Sequence, residues 1–410
     1  MMKKRILSVL LTLMMLLPLM AFAGESTTLT VLWFNDANES DVFKETIKDF
    51  EAAPPDVKVD LQVIAFDAYE KQLKLMLAGD NAPDAARMTT ALMPVFADVL
   101  EPIEGYADIA ETEKNFAPAM LAFAKNSEGK LVAYPTEATA NGMLVNKTAF
   151  DKAGIDVNEV SKTWTWEQWE EIIKKVIAAN ENMKYGLAVD FTPHRLSTLL
   201  YQFGGHLLNE ERTAVHFSNE GTINALKWFK RMHDENLIPL SVWMGSEKPV
   251  EMFKAGLVAG HIGGSWNINT YADVTDFEWT AVRCPAGTMR SSVPGGKFIA
   301  AFKDGKNKQL AQELMASFSD AKHNAQYCLG TFNLSSRTDV AIDYPSSTEA
   351  FEVFADELKV TPTYTAQEWN TPLVGKIGGI VKEQVVQALT GTVTVEEACA
   401  EIDRQAADLQ

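Results

Sequence analysis

Apolar positions along the chain recur with two periods in turn. Leu29 to Phe34 is a short apolar run rich in strand formers and reads as a buried strand. Phe43, Ile47 and Phe50 then fall at i, i+4 and i+7, the spacing of one helix face. Val57, Val59, Leu61 and Val63 alternate with polar residues, which predicts a second strand with one apolar face. Tyr69, Leu73, Met76 and Leu77 mark an amphipathic helix that Gly79 stops at its C-cap. Further on, Thr165 to Gln168 forms a capping box, and Trp169, Ile172, Ile173, Val176 and Ile177 form the stripe of the helix it opens. That stripe accounts for the Trp164, Trp166 and Trp169 cluster as helix packing. Thr394 to Glu397 is a second capping box, opening the last helix. Alternation of strand and helix predicts α/β domains with largely parallel sheets. There is no internal repeat, low-complexity tract or long Pro- or Ser-rich linker, so the domains are expected to join through short crossings.

The first 23 residues break this pattern. Lys3, Lys4 and Arg5 precede an uncharged, mostly apolar run from Ile6 to Met20, and Ala21-Phe22-Ala23 fits an A-x-A cleavage site. A membrane anchor is the competing reading, but the run is short for a span and ends in that site. An export signal over residues 1–23 is therefore expected, with a mature chain starting at Gly24. No cysteine stands at the cleavage point, so the product should be a freely diffusing periplasmic protein and not a lipoprotein.

The 410 residues suggest two or three domains. A net charge of -18 makes nucleic acid and anionic lipid poor partners, because neutralising phosphates needs Lys and Arg. Cys284, Cys328 and Cys399 lie far apart, with no CxxC pair and no metal spacing. The chain contains no GxxxxGK[ST], GxGxxG or HExxH. Gly263-Gly264-Ser265-Trp266-Asn267 lacks the second glycine of a nucleophile elbow. The six histidines share no ligand spacing on a helix face, so no metal or other cofactor is expected.

Six segments, in order, carry a resemblance. They are "LKLMLAGDNAPDAARM" from Leu73, "GKLVAYPTEATANGMLVNKTAFDKAGI" from Gly129, "TWTWEQWEEI", "MFKAGLVAGHIGGSW", "VPGGKFIAAFKDGKNKQLAQELMASF" and "LTGTVTVEEACAEID". Together they resemble the family 1 extracellular solute-binding proteins, the maltose-binding-protein-like receptors of ABC importers for sugars. Two departures stand out: Ser161 or Lys162 replaces a proline, and Leu334-Ser335-Ser336-Arg337 stands where the family usually has Leu-Pro-x-Arg. The resemblance implies an α/β, two-lobed periplasmic-binding-protein fold, each lobe a mostly parallel sheet flanked by helices, with the ligand cleft between lobes. It implies an N-terminal lobe of residues 24–136 plus 300–329 and a C-terminal lobe of 137–299 plus 330–410. The crossings would lie near Tyr134 to Glu137, Lys297 to Ala301 and Gly330. It also implies capture of a sugar or oligosaccharide by hinge closure, as a monomer, for importer membrane subunits and their ATPase.

A sugar offers apolar C–H faces to aromatic rings and a rim of hydroxyls to carboxylates, amides and Arg. In open α/β sheets ligands sit beyond the carboxyl ends of strands. Trp33, Asn35 and Asp36 end the first strand; Thr89 and Thr90 follow a later one; Glu137 and Thr139 follow the first crossing. Trp266 and Asn267 end a glycine-rich segment, Gly295 and Gly296 precede the second crossing, and Arg337, Tyr364 and Trp369 come later. Structural roles compete for several of these. Trp33 alternates with Leu29 and Val31 and fits a core, Asp36 fits a helix N-cap, Glu137 fits a solvated hinge residue, Arg337 fits a salt bridge, and Trp369 fits surface packing. Other ligands on the same fold are a polyol, a glycerophospho compound or a polyamine. Among arginines, only Arg87, Arg195 and Arg337 lie near the candidate segments, which disfavours phosphate. A secreted glycoside hydrolase using two carboxylates is the rival class.

Overall fold

The computed structural model describes residues 27–35, 38–53 and 57–409. The expected export segment and Asp36 lie outside the described residues. Strands β1 (Thr27–Trp33), β2 (Val57–Val63), β3 (Ala85–Thr89), β4 (Tyr134–Asn146), β5 (Tyr185–Val189), β6 (Val258–Gly264), β7 (Trp279–Val282) and β8 (Pro294–Ala301) are joined by helices. The helices that bear on the site are α1 (Glu39–Thr46), α2 (Phe66–Ala78), α3 (Trp166–Ala179), α4 (Pro193–Gln202), α5 (Ala321–Thr331) and α6 (Thr363–Trp369). Strand order is β2-β1-β3-β8-β4-β6-β5, with β7 also on β4.

The sheet is mixed, which corrects the expectation of mostly parallel sheets. β1 runs parallel to β2 and β3, and β5 runs parallel to β6, as strand–helix–strand units require. β8 is antiparallel to both β3 and β4, and β4 is antiparallel to β6 and β7. The reason is that β4 and β8 are the strands by which the chain crosses between two halves, so each runs against the units it joins. Tyr134 to Ala140 of β4 pair with β8, whereas Asn141 to Asn146 pair with β6 and β7. One strand thus serves both lobes, and all thirteen of its residues are buried.

Local patterns fold largely as read. Both capping boxes form, at Thr165 with Gln168 and at Thr394 with Glu397. Trp166 and Trp169 are buried and pack edge-to-face at 5.5 Å, with Trp228 at 4.5 Å from Trp166. The helix expected through Phe43, Ile47 and Phe50 is instead two, Glu39–Thr46 and Lys48–Glu51. At the break the Thr46 hydroxyl donates to the Val42 carbonyl at 2.8 Å, a back-bond of the kind that bends helices. Cys284, Cys328 and Cys399 are buried and unbridged.

β4 carries a bulge between Pro135 and Glu137, where its register against β8 shifts. A bulge leaves ladder groups unpaired. Here the third crossing supplies the partners. Asn324 Nδ2 of α5 donates to the Thr136 carbonyl at 2.6 Å, and Ser336 Oγ donates to the Pro135 carbonyl at 2.9 Å. Ala138 N donates to the Leu334 carbonyl at 2.9 Å. Of the two serines in Leu334-Ser335-Ser336-Arg337, Ser336 bonds β4 directly and Ser335 Oγ donates to Asn324 Oδ1 at 2.6 Å. Asn324 is 1% exposed, so Asn324→Ala would leave the buried Thr136 carbonyl with only the weak Cys328 Sγ–H donor, at 3.5 Å. Such a loss costs about 1–3 kcal/mol. Urea denaturation should show the lower midpoint; an unchanged midpoint would mean that the bulge is satisfied by other groups.

Candidate functional site

The carboxyl ends of β1, β3, β5 and β6 converge on the crossing strands. At the end of β1, Trp33 and Phe34 are fully buried, and Phe34 O accepts from Arg87 Nη1 of β3 at 2.7 Å. The guanidinium carbon of Arg87 lies 4.6 Å from the Phe34 ring centroid and 5.1 Å from that of Trp33. Arg87 Nη2 reaches Glu137 of β4 at 3.1 Å, and Lys297 Nζ of β8 reaches the same carboxylate at 2.9 Å. Glu39, at the start of α1, stands 3.9 Å from Arg87. All four groups are buried. Buried charges persist only when paired and hydrogen-bonded, so each fixes the position of the next.

In the other half, β5 ends at Val189 and Asp190 follows. α4 opens with Thr192 as N-cap, its side chain accepting from Arg195 N, and with Pro193 at the first position. Trp266 lies just beyond β6 and folds flat over Gly264, where a Cβ would fall 2.1 Å from the ring. A side chain at that position would have to displace the indole. The Arg195 guanidinium carbon lies 4.6 Å from the Trp266 ring centroid, and Lys297 Nζ lies 5.4 Å from it. Cations over an indole face are attracted by its quadrupole. Asp190 Oδ2 lies 3.4 Å from Arg195 Nε, and Asp190 Oδ1 lies 2.8 Å from His261 Nε2. His261 Nδ1 is in turn 2.6 Å from the Tyr271 hydroxyl. Arg195 Nη1 and Asn141 Nδ2 both approach His194 Nδ1, at 2.8 and 3.2 Å. Burial, and then the Arg195 charge, hold His194 well below its ordinary pKa, so its ring stays neutral and Nδ1 accepts.

The expected site residues divide by position. Glu137, Trp266 and Gly296 meet at the lobe junction, and a Cβ on Gly296 would fall 2.6 Å from the Glu137 carbonyl. Gly295 lies against Thr139, whose Oγ1 would be 2.6 Å from a Cβ at Gly295. Trp369, at the end of α6, packs edge-on to His194 at 4.7 Å. Asn267 is buried beside Gly263 and opens a short helix. Thr89 accepts from Leu92 N at 3.2 Å, and Thr90 N donates to the Gly296 carbonyl at 3.2 Å. A cavity of about 710 Å³ opens beside Thr89, between Phe66, Leu92 and Val95 on one side and Pro372, Gly375 and Lys376 on the other. That volume suits a small-molecule ligand. A larger groove of about 930 Å³ around Phe277, Trp279 and Ser347 lies away from these strand ends and the paired charges.

Other candidates are taken up by packing or pairing of their own. Trp33 packs in the core against Phe43 at 4.4 Å and Tyr327 at 6.4 Å. Asn35 exchanges hydrogen bonds with Ser40, from Nδ2 at 2.8 Å and to Oδ1 at 2.9 Å, at the opening of α1. Arg337 pairs with Asp339 through Nε at 2.8 Å and Nη2 at 2.7 Å. Tyr364 packs against Tyr201 at 5.6 Å and His206 at 4.6 Å. Sequence reasoning misses Lys297, Asp190 and His261 as site candidates and bears on Arg87 and Arg195 only through the phosphate question. For Arg87 and Lys297 a signal existed, a single cation inside an otherwise apolar strand. Among the described residues no group of three His, Cys, Asp or Glu side chains could hold a metal ion.

Burial pushes the Asp190 carboxyl up, but His261 and Arg195 pull it further down, leaving it below its ordinary value. A depressed folded pKa gives stability that is complete above the unfolded value of about 3.9 and is lost as pH falls through the folded value. Urea midpoints measured from about pH 6 to 2.5 should therefore decline less steeply below about pH 4 in Asp190→Asn than in the wild type. Parallel acid limbs would remove Asp190 from the linkage.

Comparison with known proteins agrees with this architecture. A binding protein of Brucella abortus is 25% identical over 304 residues, 72% of each chain. An arabinooligosaccharide-binding protein of Halalkalibacterium halodurans is 24% identical over 162 residues, 37% of this chain and 34% of that one. An ABC substrate-binding protein of Listeria monocytogenes, solved in complex with cycloalternan, superposes with a TM-score of 0.79 at 22% identity, covering 94% of this chain and 99% of the other. Residues 45–353 match the family described as bacterial extracellular solute-binding protein. With two lobes built on shared crossing strands and a cleft at their junction, the chain belongs to the bacterial extracellular solute-binding protein family.

Proposed function

We propose that the chain is the periplasmic binding subunit of an ABC importer and captures a sugar or oligosaccharide by closing its lobes around it. The lobes comprise residues 24–136 with 300–329 and residues 137–299 with 330–410. The observation that carries the reading is the grouping of an indole, Trp266, with paired cations and carboxylates at the junction of the two crossing strands. A sugar needs that combination, an aromatic wall for its C–H face and charged donors and acceptors for its hydroxyls. The arabinooligosaccharide-binding relative supports the ligand class. Glu39, Glu137 and Asp190 balance Arg87, Arg195 and Lys297 in charge, which favours a neutral polyhydroxyl ligand over a glycerophospho compound.

The chain acts by binding, so a sugar should be recovered unchanged after incubation with it. Export through cleavage before Gly24 releases it from the membrane, and the importer's ATPase supplies energy to the assembly.

A thermal-shift screen against mono- and oligosaccharides, polyols, polyamines and glycerol 3-phosphate tests the reading. A ligand at 100 times its dissociation constant adds about 2.7 kcal/mol of stability. A response to polyamines alone, or turnover of a glycoside, would overturn the sugar-receptor reading. Trp266→Ala should weaken sugar binding by about 1–3 kcal/mol in calorimetry while the fold persists. Unchanged affinity would take Trp266 out of the site.

A further inference from the structure

Apolar side chains open to solvent gather on one wall of the cavity beside Thr89. Phe66 and Val95 both line it, and they are 50% and 48% exposed. Single exposed apolar residues are ordinary on a protein surface. Here Ala91, Leu92 and Pro94 line the same cavity, so the two belong to a continuous apolar surface. Phe66 opens α2, and its ring packs on the fully buried Phe34 at 5.0 Å and 57°. Phe34 in turn packs on Tyr69 at 4.9 Å and against the Arg87 guanidinium at 4.6 Å. The Phe66 ring is thus backed by fixed neighbours while half of it stays open. Most polar groups of the lining are already engaged. Thr89 Oγ1 accepts from Leu92 N at 3.2 Å, and Glu70 pairs with Lys74 at 2.6 Å. Lys376 is the one charged group of the lining that has no ion pair or hydrogen bond among the described residues.

Resting on the sugar-receptor reading, we propose that Phe66 is a further ligand-binding residue, and that with Leu92 and Val95 it receives an apolar edge of the ligand. The substrate class is then a neutral saccharide with a deoxy position or an apolar aglycone at that edge. A hydroxyl pressed against this wall gives up water and finds few partners, whereas a methyl group or an aryl ring gives up no hydrogen bond. Lys376 donates to ligand oxygens from the opposite side of the cavity.

Calorimetry on the whole mature protein tests the assignment with matched sugars in two series. One is D-galactose, its 6-deoxy form, its 6-carboxylate and its phenyl glycoside; the other is the same four compounds of D-glucose. In a series that binds, the 6-deoxy or phenyl member should bind about tenfold more tightly than the parent. Phe66→Ala and Val95→Ser alter half-exposed side chains and should keep the fold, while each removes most of that preference. Equal affinities across a series, tightest binding by the carboxylate, or a preference unmoved in both variants would overturn the proposal. Methyl ¹³C–¹H spectra, with Leu92 and Val95 assigned through Leu92→Met and Val95→Ser, report occupancy of the cavity itself. p-Cresol alone should shift both signals in the wild type and not in Phe66→Ala; no shift in the wild type would overturn the apolar wall. Failure of every sugar to bind the wild type refutes the sugar-receptor reading, and the p-cresol spectra still decide whether Phe66 and Val95 form a binding wall.

Discussion

Glu137 is fully buried, and its negative charge persists there because Arg87 and Lys297 stand beside it. The three residues come from three adjacent strands, β4, β3 and β8. Removing any one would unbalance the buried charges of this cluster, and breaking a buried pair costs on the order of 3–5 kcal/mol. The constraint passes outward from that carboxylate. Arg87 holds the end of β1 through the Phe34 carbonyl, and Lys297 reaches toward the Trp266 indole in the other lobe. Apolar burial alone would not specify this alignment, because hydrophobic contact has no direction. The ion pairs set which backbone atoms face which at the junction.

The clamp on the β4 bulge works on the same strand from the other side. Glycines at 295 and 296 let β8 approach Thr139 and the Glu137 carbonyl too closely for any side chain. The third crossing, through Asn324, Leu334 and Ser336, closes over the carbonyls that the bulge turns away from the ladder. Glu137 and Lys297 therefore stand on strands whose every residue is buried, whereas Asp190, Arg195 and Trp266 lie just beyond strand ends.

Much of the fold was legible because helix stripes, capping boxes and alternating strands are local signals. Strand direction was not, since an apolar run reads the same whether its neighbour is parallel or antiparallel; β4 and β8 looked like any buried strand. The expected positions of the crossings came from the family resemblance and not from the pattern of apolar residues. At the site, Trp266 stood out by its glycines and Glu137 by its place after a crossing. Arg195, Asp190 and His261 were invisible as a group because Asp190 and His261 are 71 residues apart and meet only through the pairing of β5 with β6. Trp33 shows the opposite difficulty. Its alternation fitted core and site equally, and only the packing of Phe43 and Tyr327 around it distinguishes them.

Because β4 and β8 are hydrogen-bonded neighbours where they leave the first lobe, the two spans are not independent rods. A pair of laddered strands bends readily across its thin direction but resists shear, since sliding one strand past the other breaks the register of every bond between them. In the proposed closure, relative motion of the lobes would be reduced from six rigid-body freedoms towards one rotation. A molecule with a single soft coordinate presents the same outer contour whenever that coordinate reaches its closed end, whatever occupies the cleft. Under that proposed closure, ligand recognition and the shape shown to the outside would be mechanically separate, and side chains in the cleft could diverge without altering the surface that the closed lobes create.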